Sequence, residues 1–228
     1  MSANAINSNN IPVIAIDGPS ASGKGTVAQL VAQHLGYHYL DSGALYRIVA
    51  LAARRMDISW QAGDALGDLA KNLQISFKNN EIYLGNQLIT NDVRSEEMSR
   101  GASEVAIHSP VREALLALQQ SFRKSPGLVA DGRDMGSVVF TDAALKIFLT
   151  ASVEVRAERR YKQNIGKALA ANYKQILADL QARDLRDSER SASPLTQTPD
   201  AVLLDTSDRN IEETVEFVIE AYKNIFQK

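Results

Sequence analysis

The chain has 228 residues, 45% of them hydrophobic and 23% charged, with a formal net charge of −2, the profile of a soluble globular protein of one large or two small domains. It has no cysteine, which excludes disulfides, thiolate metal sites and a cysteine nucleophile. The slight acidity argues against general nucleic-acid binding, and the longest apolar run, Ile48–Ala53, falls far short of the ~20 residues a membrane span needs.

The first ten residues, MSANAINSNN, lack the basic start and apolar stretch of a signal peptide and read as a flexible leader. Ile11 to Ile16 is a short apolar run ended by Asp17-Gly18-Pro19-Ser20, a buried strand entering a loop. Val27, Ala28, Leu30, Val31 and Leu35 then carry helical spacing. Between strand and helix lies Gly18-Pro19-Ser20-Ala21-Ser22-Gly23-Lys24-Gly25-Thr26. Such a loop turns successive backbone N–H groups inward around phosphate oxygens, and the following helix adds its N-terminal partial charge. Lys24 is placed to reach the β and γ phosphates, and a hydroxyl to ligate Mg²⁺. The general phosphate-loop pattern has Ser or Thr directly after the lysine. Here Gly25 stands there and Thr26 follows, the variant found in kinases that act on nucleoside monophosphates. His34 and His38 are four apart, but no Glu lies between them as a zinc-protease helix requires, and Gly36 interrupts. A structural role is expected for both.

Asp41-Ser42-Gly43-Ala44-Leu45-Tyr46-Arg47 opens a helical pattern over 43–55, so its N–H groups and Arg47 are placed to face an anion. Gln74–Lys78, Glu81–Leu84 and Gln87–Ile89 are strand-like and separated by the turn-prone pairs Asn79-Asn80 and Gly85-Asn86. An antiparallel meander inside an α/β chain marks an inserted subdomain, set at residues 60–98. Helical patterns follow at 96–107 and 111–124, then a buried strand, Leu128 to Ala130. Asp131-Gly132-Arg133-Asp134-Met135-Gly136 leaves that strand at its carboxyl end, where open α/β sheets bind ligands. Lys146–Leu149 and Ala201–Leu204 read as further strands, with helices at 152–162, 172–186 and 211–226. The polar stretch Tyr161–Asn172, with Gly166 in it, reads as a mobile flap. In the last helix Ile211, Val215, Val218, Ile219, Tyr222, Ile225 and Phe226 share a face, behind an Asn210/Glu213 capping box. This alternation implies a parallel sheet covered on both faces.

Of the 25 basic residues 15 are Arg, and residues 151–190 hold six Arg and three Lys against six acids. Arginine excess points to bidentate recognition of phosphate or carboxylate. A phosphate loop alone serves GTPases, ATPases and small-molecule kinases. The guanine-reading Asn/Thr-Lys-x-Asp motif is absent, which weakens the first. The open alternatives are a kinase for some other acceptor, such as UMP, or a nucleotide-binding ATPase or sensor.

Taken together, Gly18–Thr26, Asp41–Arg47, Ser103 with Arg112, Asp131–Gly136 and Arg183–Arg190 resemble the bacterial cytidylate kinases, and the resemblance runs from about Ile11 to the C-terminus. It implies an α/β P-loop NTPase with a parallel sheet flanked by helices. The core would comprise residues 11–59, 99–155 and 173–228, with a monophosphate-binding subdomain at 60–98 and a lid at 156–172. It also implies ATP-dependent phosphorylation of CMP and dCMP, with Mg²⁺, by a cytoplasmic and monomeric enzyme that binds neither nucleic acid nor membrane. Gly18 to Thr26 would bind ATP, and Lys24, Arg133 and the lid residues Arg159 and Arg160 would act in catalysis. Arg47, Arg133 and Arg190 would hold the acceptor phosphate, with Ser42 beside them. Ser103, Arg112 and Asp134 would read cytosine, and Arg183 and Asp187 would lie by the sugar. Thr26 would meet the metal directly and Asp131 through water.

Overall fold

The computed structural model describes residues 11–78, 81–166 and 171–225. The expected leader, the Asn79-Asn80 turn, residues 167–170 of the expected lid and Phe226 lie outside the described residues. The chain divides into two compact units, one of Met1–Leu40 with Phe122–Lys228 and one of Asp41–Ser121.

The first unit is built on a five-stranded sheet. Its strands are β1 (Val13–Asp17), β2 (His38–Asp41, whose last residue opens the second unit), β6 (Leu128–Gly132), β7 (Leu145–Thr150) and β8 (Val202–Asp205), in the order β2-β6-β1-β7-β8. β1 pairs in parallel with β6 on one side and β7 on the other, and β7 pairs in parallel with β8. Val13, Ile14, Ala15 and Ile16 are wholly buried, as a run without alternation requires of a strand covered on both faces. Helices α1 (Lys24–Leu35), α6 (Val153–Gly166), α7 (Tyr173–Glu189) and α8 (Ile211–Ile225) belong to this unit. Ile14, Ile16, Val31, Val129, Ile147, Leu204 and Val218 form one core cluster. The capping box forms as expected: Glu213 N–H donates to Asn210 Oδ1 at 2.9 Å, and Asn210 N–H to Glu213 Oε2 at 3.1 Å.

Three local features depart from the sequence expectations. His38–Asp41 is a strand that is absent from the sequence-predicted elements. Tyr161 to Gly166 continues α6 instead of forming a flap, and Tyr161 meets Tyr173 of α7 edge-on at 6.3 Å. Met135–Val139 forms a single π-helical turn directly after the β6 loop, a form often found at functional sites. The histidine expectation holds for His38, whose Nε2 bonds the Ser125 carbonyl at 3.0 Å.

The second unit contains α2 (Ser42–Arg55), α3 (Gly63–Asn72), the antiparallel strands β3 (Ile75–Lys78), β4 (Glu81–Leu84) and β5 (Gln87–Leu88), then α4 (Glu96–Val105) and α5 (Ser109–Gln120). The meander thus forms, while α3 has no counterpart among the sequence-predicted helices. Leu66 and Ala70 of α3 are buried, and Gly67 lets it approach α5, since a Cβ there would stand 2.5 Å from Pro110 Cβ. Trp60 is a packing residue: its Nε1 donates to the Ala50 carbonyl at 3.0 Å, and His108 Nε2 donates to the Trp60 carbonyl at 2.9 Å.

Candidate active site

The parallel sheet brings the carboxyl ends of β1, β6, β7 and β8 to one side, and the loops and helices that follow β1, β6 and β7 carry the candidate residues of the first unit. The loop after β1 begins at Gly18 with φ +156, and a Cβ at that position would lie 1.9 Å from the Leu149 carbonyl oxygen. Only glycine fits so close a backbone crossing. Gly23, with φ +94, turns the chain into α1. Lys24 is buried at the first position of that helix, and its Nζ donates to the Pro19 carbonyl at 3.2 Å. The ammonium therefore lies over the loop's own backbone.

Asp17, the last residue of β1, is buried, and its two carboxylate oxygens accept from Met135 N–H and Gly136 N–H at 2.8 Å each. These contacts tie the π turn to the start of the phosphate loop. Burial pushes the Asp17 carboxyl up to about 6 against the opposing pull of the two N–H bonds; Asp134 adds to the rise and Lys24 opposes it.

Asp131 lies near the end of β6 and is buried. Tyr39 of β2 donates its hydroxyl to Asp131 Oδ1 at 2.7 Å. The carboxylate faces Gly25, where a Cβ would lie 3.8 Å from Oδ2. Thr26 is exposed on the first turn of α1. Among the described residues no three His, Asp or Glu side chains cluster as a metal cage would need. One hydroxyl and one carboxylate are the donor set suited to Mg²⁺, which keeps most of its waters and is held largely by substrate phosphates.

Arg133 is held at three of its nitrogens. Nε donates to Asp187 Oδ2 at 2.7 Å, Nη1 to the Gly132 carbonyl at 3.1 Å and Nη2 to Ser20 Oγ at 2.7 Å. Asp187 is no surface partner, since only 6% of its side chain is exposed, and Arg190 Nη1 stands 4.0 Å from its other oxygen. Burial pushes the Asp187 carboxyl up, but Arg133, Arg183 and Arg190 outweigh it and hold it below the usual carboxylate range. Arg190 also donates from Nε to the Ser193 carbonyl at 2.6 Å. Asp134 is buried beside Arg133 and leads into the π turn.

The expected lid arginines separate. Arg159 donates to the Ser22 carbonyl at 3.1 Å, to Thr206 Oγ1 at 3.1 Å and to the Thr206 carbonyl, so it packs against the phosphate loop. Arg160 donates to Gln163 Oε1 at 2.8 Å along the exposed side of α6. A residue that the sequence does not single out lies deeper. Arg156 is buried, donates to the Ser20 carbonyl at 3.2 Å and forms a two-bond pair with Asp184 at 3.1 and 2.6 Å. None of Asp17, Tyr39, Arg156 and Thr206 is among the site residues expected from sequence. Asp17 alone carries a signal there, a carboxylate closing an otherwise apolar strand.

In the second unit Ser42 is buried at the start of α2, and the Asp41 carboxylate caps that helix by accepting from Ala44 N–H at 3.0 Å. Arg47, one turn on, has a buried Nε with no hydrogen-bond partner among the described residues. An orphaned guanidinium donor is costly to bury and marks a place for an anionic oxygen. Ser103 is buried in α4. Arg112 of α5 lies over the Tyr46 ring at 5.7 Å and donates to the Ala106 carbonyl at 3.3 Å. The ring contact holds a cation in place through its π face.

Comparison with known proteins adds a specific match. The family model described as "Cytidylate kinase" matches residues 14–224. A cytidylate kinase of Polynucleobacter asymbioticus is 55% identical over 214 residues, 94% of this chain and 97% of that protein. A cytidylate kinase of Paraburkholderia phymatum is 56% identical over 212 residues, 93% of each chain. One from Burkholderia multivorans is 55% identical over 216 residues, 95% of each. Among the described residues no helix is long and apolar enough to cross a membrane.

Proposed function

The chain belongs to the cytidylate kinase family, and on that premise we propose how its residues carry out the ATP-dependent phosphorylation of CMP. The enzyme is a nucleoside monophosphate kinase of the P-loop type, and its transfer is direct and in line, on dCMP as well as CMP. The observation that carries the residue assignment is the bond between Arg133 Nη2 and Ser20 Oγ at 2.7 Å. It sets a guanidinium suited to an acceptor phosphate directly beside the loop suited to a donor phosphate.

Phosphoryl transfer passes through a loose transition state, so alignment and charge neutralisation do most of the work and a general base is not needed. Gly18 to Thr26 cradle the ATP phosphates through backbone N–H groups, and Lys24 leaves the Pro19 carbonyl to meet the β and γ oxygens. Arg47, Arg133 and Arg190, with Ser42, serve the acceptor phosphate. Asp134, Ser103 and Arg112 read the cytosine, while Arg183 and Asp187 serve the sugar. Arg159 and Arg160, on the helical arm of the lid proposed at 156–172, meet the ATP phosphates on closure, Arg159 leaving the Ser22 and Thr206 carbonyls and Arg160 leaving Gln163 to do so. The insert proposed at 60–98 carries the monophosphate side. Thr26 through its hydroxyl and Asp131 through water would hold the Mg²⁺ that comes with ATP, which would supply neutralisation of phosphate charge. The proposed setting is the cytoplasm, and the proposed active form a monomer.

A panel of nucleoside monophosphates with ATP and Mg²⁺, read by ADP release, tests this reading. CMP and dCMP are expected to support turnover well above UMP and AMP. ADP release that does not depend on any acceptor would make the chain an ATPase instead.

A further inference from the structure

Ser20 belongs by sequence to the donor's phosphate loop, yet its side chain points to other business. Its hydroxyl accepts from Arg133 Nη2 at 2.7 Å, and its carbonyl accepts from Arg156 Nη1 at 3.2 Å. The residue is only 7% exposed; its contact with Arg156 is buried and that with Arg133 partly buried. We propose that Ser20 is a positioning residue for the acceptor: its hydroxyl fixes the plane of the Arg133 guanidinium so that the group's remaining N–H bonds meet the CMP phosphate. The inference rests on the reading of Arg133 as an acceptor-phosphate residue.

The geometry supports this in two steps. A guanidinium has five N–H donors in one plane. Those of Arg133 are spent on Asp187 through Nε, on Gly132 through Nη1 and on Ser20 through Nη2, which leaves one on each terminal nitrogen, the pair that grips two oxygens of a phosphate. Asp187 and the Gly132 carbonyl hold the Nε and Nη1 side of the plane. Ser20 holds the Nη2 end, which those two contacts leave without an anchor. The chemistry of the anchor matters as well. Asp187 already sets one negative charge against Arg133, and a second carboxylate at position 20 would compete with the substrate for the cation. A hydroxyl orients the guanidinium while leaving its charge to the phosphate.

The test uses the full chain with Ser20→Ala, Ser20→Thr, Arg133→Lys and the Ser20→Ala/Arg133→Lys double variant. In Ser20→Ala, kcat/KM for CMP should fall by about tenfold, the scale of a small misplacement of a phosphate-gripping group. The Kd of ATP measured without acceptor should stay within about twofold of wild type, because the loop backbone is unchanged. Ser20→Thr keeps the hydroxyl and should recover most of the lost kcat/KM. Adding Ser20→Ala to Arg133→Lys should cost less than about twofold more, since residues acting as a unit are not additive. Equal loss of ATP affinity and CMP efficiency, full additivity of the two substitutions, or no recovery in Ser20→Thr would each overturn the inference. Arg133→Lys with unchanged CMP kinetics would overturn the reading of Arg133 itself, an outcome separable from failure at Ser20. Should Ser20→Ala not fold, Ser20→Cys replaces the hydroxyl by a weak acceptor of similar size and should lower kcat/KM for CMP with little change in the Kd of ATP. Wild-type CMP kinetics in Ser20→Cys would overturn the inference.

Discussion

The Tyr39 hydroxyl donates to Asp131 Oδ1 at 2.7 Å, linking β2 to the buried carboxylate near the end of β6. A carboxylate in that setting depends on its donors, because an ionised group deprived of one is left partly desolvated. Tyr39→Phe removes the hydroxyl and leaves the ring. Stability should fall by about 1.5–3 kcal/mol, the range for a hydrogen bond to a charged group, measured as a lower denaturant midpoint with an unchanged slope. An unchanged midpoint would show that the Asp131 carboxylate is held as well without it.

Lys24 lies on the Pro19 carbonyl at 3.2 Å in this structure, and its charge matters most as negative charge shifts in the transition state. Lys24→Ala should lower kcat on the order of 10²–10³, the effect of one lost electrostatic contact at a reacting centre. A folded variant that keeps more than about a third of wild-type turnover would refute the loop assignment.

Asp134 tests base reading. A carboxylate accepts from the amino group at position 4 of cytosine but faces a carbonyl oxygen in uracil, and each such paired contact is worth about 1–3 kcal/mol of discrimination. Asp134→Ala should lower kcat/KM strongly for CMP and weakly for UMP, compressing their ratio by roughly tenfold or more. Parallel losses would mean that Asp134 supports Arg133 and does not read the base.

Gly18→Ala puts a methyl group 1.9 Å from the Leu149 carbonyl oxygen. The obstacle is backbone of the central sheet and cannot move aside as a flexible side chain would. The loss should reach the upper part of the overpacking range, about 3 kcal/mol, seen as insoluble expression or a large fall in the melting temperature.

The pH dependence of stability has one identifiable contributor in Asp17. Its folded pKa, about 6, lies above the ordinary 3.8, so between those values the native state binds more protons than the unfolded chain. Stability from this group therefore falls as pH rises from about 4 to 6, by roughly 3 kcal/mol in total, and is constant above. Asp17→Asn should flatten that limb, so its unfolding free energy relative to wild type should improve steadily across the window. Identical slopes for the two proteins would place the titration elsewhere.

The strand, loop and helix from Val13 to Leu35 are legible in sequence because a wholly apolar run, a glycine-rich interruption and helical spacing follow in that order. β2 escapes because it is short and half exposed, with His38 in solvent, so neither alternation nor an apolar run marks it. α3 escapes because Gly63 and Gly67 depress its helix propensity, although Leu66 and Ala70, four apart and both buried, hold the periodic signal. Among the residues proposed for the site, the charged ones are readable from motif and position. Their holders are not, since Tyr39 reaches Asp131 and Arg156 reaches Ser20 only once the sheet brings together segments far apart in sequence.

The position of β1 between β6 and β7 has a consequence for how the chain is made. Val13 pairs with Leu128, and Ile14 with both Val129 and Leu145, so β1 leaves the ribosome long before either neighbour and waits for both. The contiguous stretch Asp41–Ser121 forms its own unit and is complete before β6 exists. For that interval the apolar Val13–Ile16 segment has neither flanking partner, and such an unpaired edge invites association with other chains. Non-local pairing of this kind also slows folding, because the loop must close before the contacts reward it. Crowded synthesis without chaperones should therefore favour aggregates over native enzyme, even though the finished sheet buries that same strand completely.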